Sequence, residues 1–449
     1  MLLKTETLQP WLLAPVLCLG FALPCMAADP PVIPNDPSFP LQWSLDQPSD
    51  ADVNAPEAWA LETGAPRVVI AVLDSGVDLD AAAFAGRLVA GHNLVAAGLP
   101  PDDVLGRGTE LASIAAEAGN DGLGLAGLCW GCSVMPVKVT GDDGLTYTSR
   151  VSDGILWAAE HGADLILVGQ PHPEPNSTLF RAVHDARDLG ALTFGPAGDA
   201  ANSYEYIPAA YYDAVGVGAT DLNDAWAGVY TDDPERGSNH HEKIDITAPG
   251  DWVLATGPAG VTGRVSRTRA AAAHVVGAAG LALSAHRTLG MDELRQLLLA
   301  GARDEVGDPA EDAPGFDEYH GHGRLDAAAT VQGAVSARSL VVEQGAGTSV
   351  RLEVPADIAL AYDFVRGDVS GLSFRDAPRG VDLGQMTCLE NNSPDALTSG
   401  VEVDSDPAPG QAFFYLARVA TRIEEASYGG SSDHHDRTSW YDCSRTAPQ

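Results

Sequence analysis

Lysine is almost missing from this chain of 449 residues. Lys4, Lys138 and Lys243 are the only three, and all basic residues together number 26 against 62 acidic ones. The formal charge of −36 argues against polyanionic partners, so neither nucleic acid nor an anionic membrane surface fits. Long apolar runs are also missing beyond the N-terminus. The Ala-rich stretch from Ala270 to Ala285 is too short to cross a bilayer and carries His274, so no membrane span is expected. Cysteine is scarce, with six in all. Apolar residues are not: at 45% they can build a real core, and the length suits two domains.

Residues 1–27 read as a secretory signal. Lys4 supplies the positive end, Trp11 to Met26 the apolar stretch, and Ala27 and Ala28 the small residues, with cleavage expected after Ala27. A lipoprotein signal competes, but Cys18 follows Val-Leu and Cys25 follows Leu-Pro, without the small residues that such a signal needs. The mature protein is thus expected to be secreted, periplasmic or extracellular, where its four remaining cysteines would oxidise. Cys129-Trp130-Gly131-Cys132 has the spacing of a redox or zinc pair. An apolar strand follows it instead of a helix, and two further ligands are lacking nearby, so a local structural disulfide fits better. Cys388 is expected to pair with Cys443.

Residues 28–66 read as an extended leader and entry segment, proline-rich over Ala28 to Pro40, and beyond them the pattern alternates. Val68 to Leu73, Val134 to Val139, Ala163 to Val168, Ala191 to Phe194, Ala214 to Ala219 and Ile244 to Ala248 read as strands. Gly108 to Ala118, Val151 to His161, Leu179 to Leu189, Arg269 to His286 and Met291 to Ala302 read as helices. Strands alternating with helices predict an α/β domain over 67–336 with a doubly wound, mainly parallel sheet. From about 338 to 449 the period becomes mostly two, which predicts a small all-β, sandwich-like module.

In open parallel sheets, ligands bind beyond the carboxyl ends of strands, and Asp74 ends the run Val-Ile-Ala-Val-Leu-Asp-Ser-Gly. This run resembles the first catalytic motif of the subtilisin-like serine peptidases, the subtilases. Pro37 to Leu45, Gly108-Thr109, Asn120 with Gly124-Leu125-Ala126-Gly127, Met135 to Val139, Ala248-Pro249-Gly250 and Gly321 to Ala327 resemble further landmarks in the family's order. The resemblance implies a subtilisin-like fold and, for an intact member, serine endopeptidase activity.

The catalytic motifs depart from the family. His-Gly-Thr becomes Arg107-Gly108-Thr109, and Gly-Thr-Ser becomes Arg267-Thr268-Arg269, placing Arg269 at the serine position. The oxyanion asparagine becomes Asp199, and a substrate-binding Ser-Leu-Gly becomes Gly169-Gln170-Pro171, whose proline has no N–H for a peptide. Of the four key positions, Asp74 alone is kept. Arginine can serve neither as general base nor as nucleophile. Other residues do not rebuild the triad: Ser266 lies just ahead of the helix and points elsewhere, His274 stands at a position that the family keeps as structural, His92 and His161 sit in segments with no catalytic role in the family, and His320, His322, His434 and His435 read as loop residues. Ion pairs Asp74–Arg107 and Asp199–Arg269, each bidentate, are expected to fill the cleft.

Tyr362 to Val369 and Pro407 to Arg418 resemble a fibronectin type III-like β module, a type used for attachment or spacing. Three functions follow: an inactive pseudopeptidase that binds a peptide or protein, an atypical active serine endopeptidase, or a structural surface and adhesion protein. No cofactor is expected. The resemblance allows calcium in acid-rich loops, but the sequence offers no complete ligand set.

Overall fold

The computed structural model describes residues 30–336 apart from 305 and 310, and beyond these the backbone of strands between 339 and 419. Seven strands make one sheet: β1 (Val69–Asp74), β2 (His92–Asn93), β3 (Ser133–Lys138), β4 (Leu165–Val168), β5 (Leu192–Pro196), β6 (Ala214–Thr220) and β7 (Ile246–Pro249). Their order is β2-β3-β1-β4-β5-β6-β7, and every neighbouring pair is parallel. The helices are α1 (Ala55–Leu61), α2 (Arg107–Ala116), α3 (Thr148–Glu160), α4 (Ser177–Asp188), α5 (Thr268–Ala285), α6 (Met291–Ala300) and α7 (Ala327–Val335).

The period of two in the strands divides the core. Ile70 and Val72 of β1, with Leu165 and Leu167 of β4, face one side and pack with α1, α2, α5 and α7. Ala71, Leu73, Ile166 and Val168 face the other and pack with α3 and α4. Both faces are therefore covered, as a parallel sheet requires. The parallel, doubly wound sheet expected for this region is present.

Helix α5 is buried on nearly every side, which explains its run of small residues. Only small side chains let a helix lie this close to a sheet and to neighbouring helices. At Gly280 an added Cβ would come within 2.9 Å of Cys132 Sγ and 3.1 Å of Cys129 Sγ. Those sulfurs form a disulfide buried in the same core layer.

The structure differs from the sequence pattern in several local elements, the two-residue strand β2 among them. The segment 28–66 is not simply an extended leader: it forms α1, and Phe39, Leu45, Val53 and Trp59 are buried in the main core. Pro56 opens α1 near its first turn, where a missing N–H costs nothing, so a proline-rich stretch could still hold a helix. Helix α7 and the antiparallel hairpin Val253–Thr256 with Thr262–Val265 were not foreseen. Helix α7 is almost uniformly small and apolar, so it shows no polar face, and the hairpin strands have only four residues each.

Beyond 338, Ser339–Gln344 pairs with Thr348–Glu353, Ser373–Arg375 with Gly380–Asp382, and Tyr362–Asp368 with both Met386–Ser393 and Phe413–Val419, all antiparallel. The side chains there, the Cys388–Cys443 pairing, the signal segment, and His434 and His435 lie outside the described residues.

His274 shows how a polar group survives inside α5. Its Nδ1–H donates to Ala270 O at 3.0 Å, which leaves Nε2 to accept from Ser44 Oγ at 3.1 Å. Burial pushes this imidazole down to about 4, whereas an unfolded chain's histidine protonates near about 6.5. The folded state thus keeps it neutral, and acidification through that window favours unfolding. Asp52 and Asp224, pushed up to about 6, and Glu117, pushed up to about 7, all by burial, act in the opposite sense. The His274 contribution is therefore visible in a variant. Between about pH 7 and pH 5, His274→Gln should lose about 2 kcal/mol less stability than the parent chain in urea unfolding. Equal losses would remove His274 from the acid response.

Candidate functional site

Strand β1 lies between β3 and β4, so the chain order reverses at it, and beyond its carboxyl end is where open parallel sheets place their ligand crevice. Asp74 is the last residue of β1 and has no exposed surface. Its backbone carbonyl accepts from Val139 N and Thr140 N at 2.9 and 3.0 Å, which fixes the strand end beside β3. The side chain points into the crevice, where Oδ1 accepts from Arg107 Nε at 3.2 Å.

The expected Asp74–Arg107 pair is thus present, but through one oxygen. Asp74 Oδ2 and Arg107 Nη2 are both buried without a hydrogen-bond partner, while Arg107 Nη1 donates to Gln170 Oε1 at 3.3 Å. Oδ2 faces Gly169 instead, where an added Cβ would stand 2.2 Å from it. A side chain at 169 would displace the carboxylate. Burial raises the Asp74 pKa above its ordinary value, and the Arg107 and Arg269 guanidinium groups counter this only in part.

Arg107 is placed by the start of α2. Asp103 Oδ2 accepts from Thr109 N at 2.9 Å and from Thr109 Oγ1 at 2.7 Å, and Asp103 Oδ1 takes Leu105 N and Gly106 N. A carboxylate here satisfies orphan N–H groups and meets the positive end of the helix. Gly108 N donates to Ser75 Oγ at 3.0 Å, which ties the helix to the turn after β1. Beneath this turn the buried Lys138 ammonium donates to Ser75 O at 2.6 Å and Asp102 O at 3.0 Å and pairs with Asp142 at 2.8 Å.

The expected Asp199–Arg269 pair does not form. Asp199 Oδ1 accepts from Thr268 N at 2.8 Å, Thr268 Oγ1 at 2.9 Å and Tyr230 Oη at 2.7 Å. Three donors on one oxygen at the first turn of α5 make Asp199 a cap, and that arrangement outcompetes a distal guanidinium. Tyr230 is wholly buried, and burial together with Asp199 raises its pKa well above the phenol's ordinary value, so it stays a donor. Arg269, in the first turn of α5, has a buried Nε without a hydrogen-bond partner, and among the described residues it makes no ion pair. Its charge is nonetheless felt by Asp74 and by Glu110 of α2. Burial raises the Glu110 pKa, and Arg269 opposes that rise.

The arginine held by acids is Arg267, through Asp232 Oδ1 at 3.1 Å and Asp233 Oδ2 at 3.3 Å, with its guanidinium 5.4 Å from the centre of the Tyr230 ring. Glu110, Tyr230, Asp103, Asp232 and Asp233 were missed by sequence reasoning. Only Asp103 carried a local signal, an acid just ahead of a helix. Ser266 Oγ accepts from Trp252 N at 3.0 Å and is buried, so it faces away from the crevice. Gln170 supports Arg107, and after Pro171 the chain pairs back onto Ile207 through His172.

Removing Arg107 would leave a fully buried carboxylate with its nearest countercharge gone. Arg107→Ala should destabilise the chain by about 3 kcal/mol near pH 8. The loss should shrink near pH 5, because protonating a carboxyl whose folded pKa is raised relieves the penalty. A loss independent of pH in urea unfolding would show that packing, not charge, is what Arg107 contributes.

The family model described as the Subtilase family matches residues 66–323. Thermitase of Thermoactinomyces vulgaris is 31% identical over 299 residues, which is 67% of this chain and 99% of that protein. The halolysin-like extracellular serine protease Nep of Natrialba magadii is 33% identical over 303 residues, 66% of this chain and 52% of that longer protein. Among solved structures, one of proteases from Pseudoalteromonas arctica PAMC 21717 matches with a TM-score of 0.59 and 27% identity, over 67% of this chain and 99% of that one.

Proposed function

The chain belongs to the subtilase family, and from that premise we propose that it is a secreted homologue that no longer hydrolyses peptides and keeps the former substrate cleft for binding a peptide or protein. The observation that carries this reading is the Arg107 Nε–Asp74 Oδ1 contact of 3.2 Å. In a serine-peptidase triad the aspartate orients a histidine that takes the nucleophile's proton. Here a guanidinium occupies that carboxylate, and it stays protonated at any working pH.

The other positions support the same reading. Arg269 offers no hydroxyl to attack a carbonyl. Asp199 brings a negative charge where an oxyanion would need donors, and the donors it holds, Thr268 and Tyr230, are already engaged. Neither fallback helps, since the Ser266 hydroxyl is bonded to Trp252 N and His274 is committed to Ala270 and Ser44. Secretion is supported by the signal-like N-terminus and by the extracellular relative. The β strands after 338 are consistent with an attachment or spacing module of fibronectin type III-like character.

The test is the purified chain on casein, alongside a covalent serine-hydrolase probe. Neither hydrolysis nor labelling is expected. A labelled serine would establish the atypical peptidase instead, and adhesion without peptide binding would favour a structural surface role. Arg269→Ser alone should give no activity. Arg107→His, Arg269→Ser and Asp199→Asn should be needed together, because triad members act as a unit.

A further inference from the structure

Asp312, Asp317 and His320 lie outside the cleft, in the loop that leads to the buried Arg324. One ligand-type atom from each lies within 4.8 Å of the others. On so acidic a chain two neighbouring carboxylates decide nothing, so the argument rests on His320. Its side chain has 0% exposure, and neither ring nitrogen has a hydrogen-bond partner. Burying an unmet donor and an unmet acceptor is costly, so the ring calls for a partner. Nδ1 stands 3.9 Å from Asp317 Oδ1, too far for a hydrogen bond. The spacing suits two ligands of one ion better: with metal–ligand bonds of about 2.0–2.2 Å, tetrahedral ligands sit roughly 3.4 Å apart, a few tenths of an ångström closer.

The carboxylates are aimed by the backbone. Asp317 Oδ1 accepts from Tyr319 N and His320 N, both at 2.8 Å, and Asp312 Oδ2 accepts from Val306 N at 2.6 Å and Gly307 N at 2.8 Å. Outer bonds of this kind fix the orientation of metal ligands. Gly307 leaves room for the imidazole, since an added Cβ would come within 3.0 Å of His320 Nε2.

We propose that Asp312, Asp317 and His320 bind one divalent transition-metal ion of the zinc class. An imidazole beside two carboxylates suits zinc and its neighbours, whereas calcium and magnesium take oxygen ligands. The ion supplies His320 with the partner it lacks and clips the loop to the segment carrying Arg324. That segment is already held by Gly323 N to His320 O at 3.0 Å and by the bridge between Gly321 and Ile246. The role is structural and does not depend on whether the cleft is active.

The experiment uses the full chain, stripped with chelator and titrated with micromolar Zn2+ by calorimetry, with metal counting and thermal unfolding alongside. About one equivalent should bind and raise the Tm. His320→Ala, and Asp312→Asn with Asp317→Asn, should weaken that binding at least about tenfold and abolish the Tm shift. His434→Ala with His435→Ala should leave both unchanged, which separates this site from the C-terminal histidine pair. If His320→Ala does not fold, the near-isosteric asparagine pair carries the test. No saturable Zn2+ binding by the parent chain, or undiminished binding by both site variants, would overturn the proposal.

Discussion

A carboxylate with no exposed surface stands at the carboxyl end of β1, and the groups around it are set against the cost of burying it. Asp74 is desolvated, and its pKa is raised in consequence. An isolated charge in that position would be costly, so the neighbouring elements present positive groups to it. Arg107 reaches it from the start of α2 and Arg269 acts on it from the start of α5. The same demand explains Gly169, where any side chain would take the space of the second oxygen. A site of this kind holds a charge by enclosure, not by a matched fork of hydrogen bonds. Asp74 Oδ2 and Arg107 Nη2 remain without partners.

Two helix starts meet at this crevice, and each brings a positive end. Asp103 caps α2 and Asp199 caps α5, so the acids closest to the helix ends are absorbed by backbone N–H groups. That absorption is why Asp199 is not free to meet Arg269. Glu110 and Asp74 are then the acids left to balance Arg107 and Arg269, two of each sign, in a cleft of mixed exposure.

The scaffold that fixes these distances is the parallel sheet and the small-residue helix against it. Because α5 is rich in alanine and glycine, its axis can approach the sheet closely and bring its first turn to the strand ends. The Cys129–Cys132 disulfide packs on Gly280 in the same layer, so this face of the sheet tolerates little change in volume.

How much of this was legible beforehand follows the range of the interactions. The longer strand and helix runs between 67 and 302 were readable because apolar periods of two and 3.6 are local, whereas the short β2 and the hairpin over 253–265 were not. The identities at Asp74, Arg107, Arg269 and Asp199 were readable because the motifs that carry them are short and ordered along the chain. Helix α1 was hidden, since seven residues in a proline-rich stretch do not display a period. The partners were hidden too. Whether Asp199 would meet Arg269 or Thr268 and Tyr230, and whether Arg267 or Arg269 would find Asp232 and Asp233, are questions of which groups arrive together in space. By itself the sequence determined the fold class and which charges occupy the crevice, because side-chain type and period are written residue by residue. Beyond the Asp74–Arg107 pair, only the tertiary structure decided which groups meet, because partners such as Asp199 and Thr268, or Arg267 and Asp232, are far apart in the chain, and competing donors a few ångströms away settle each contact.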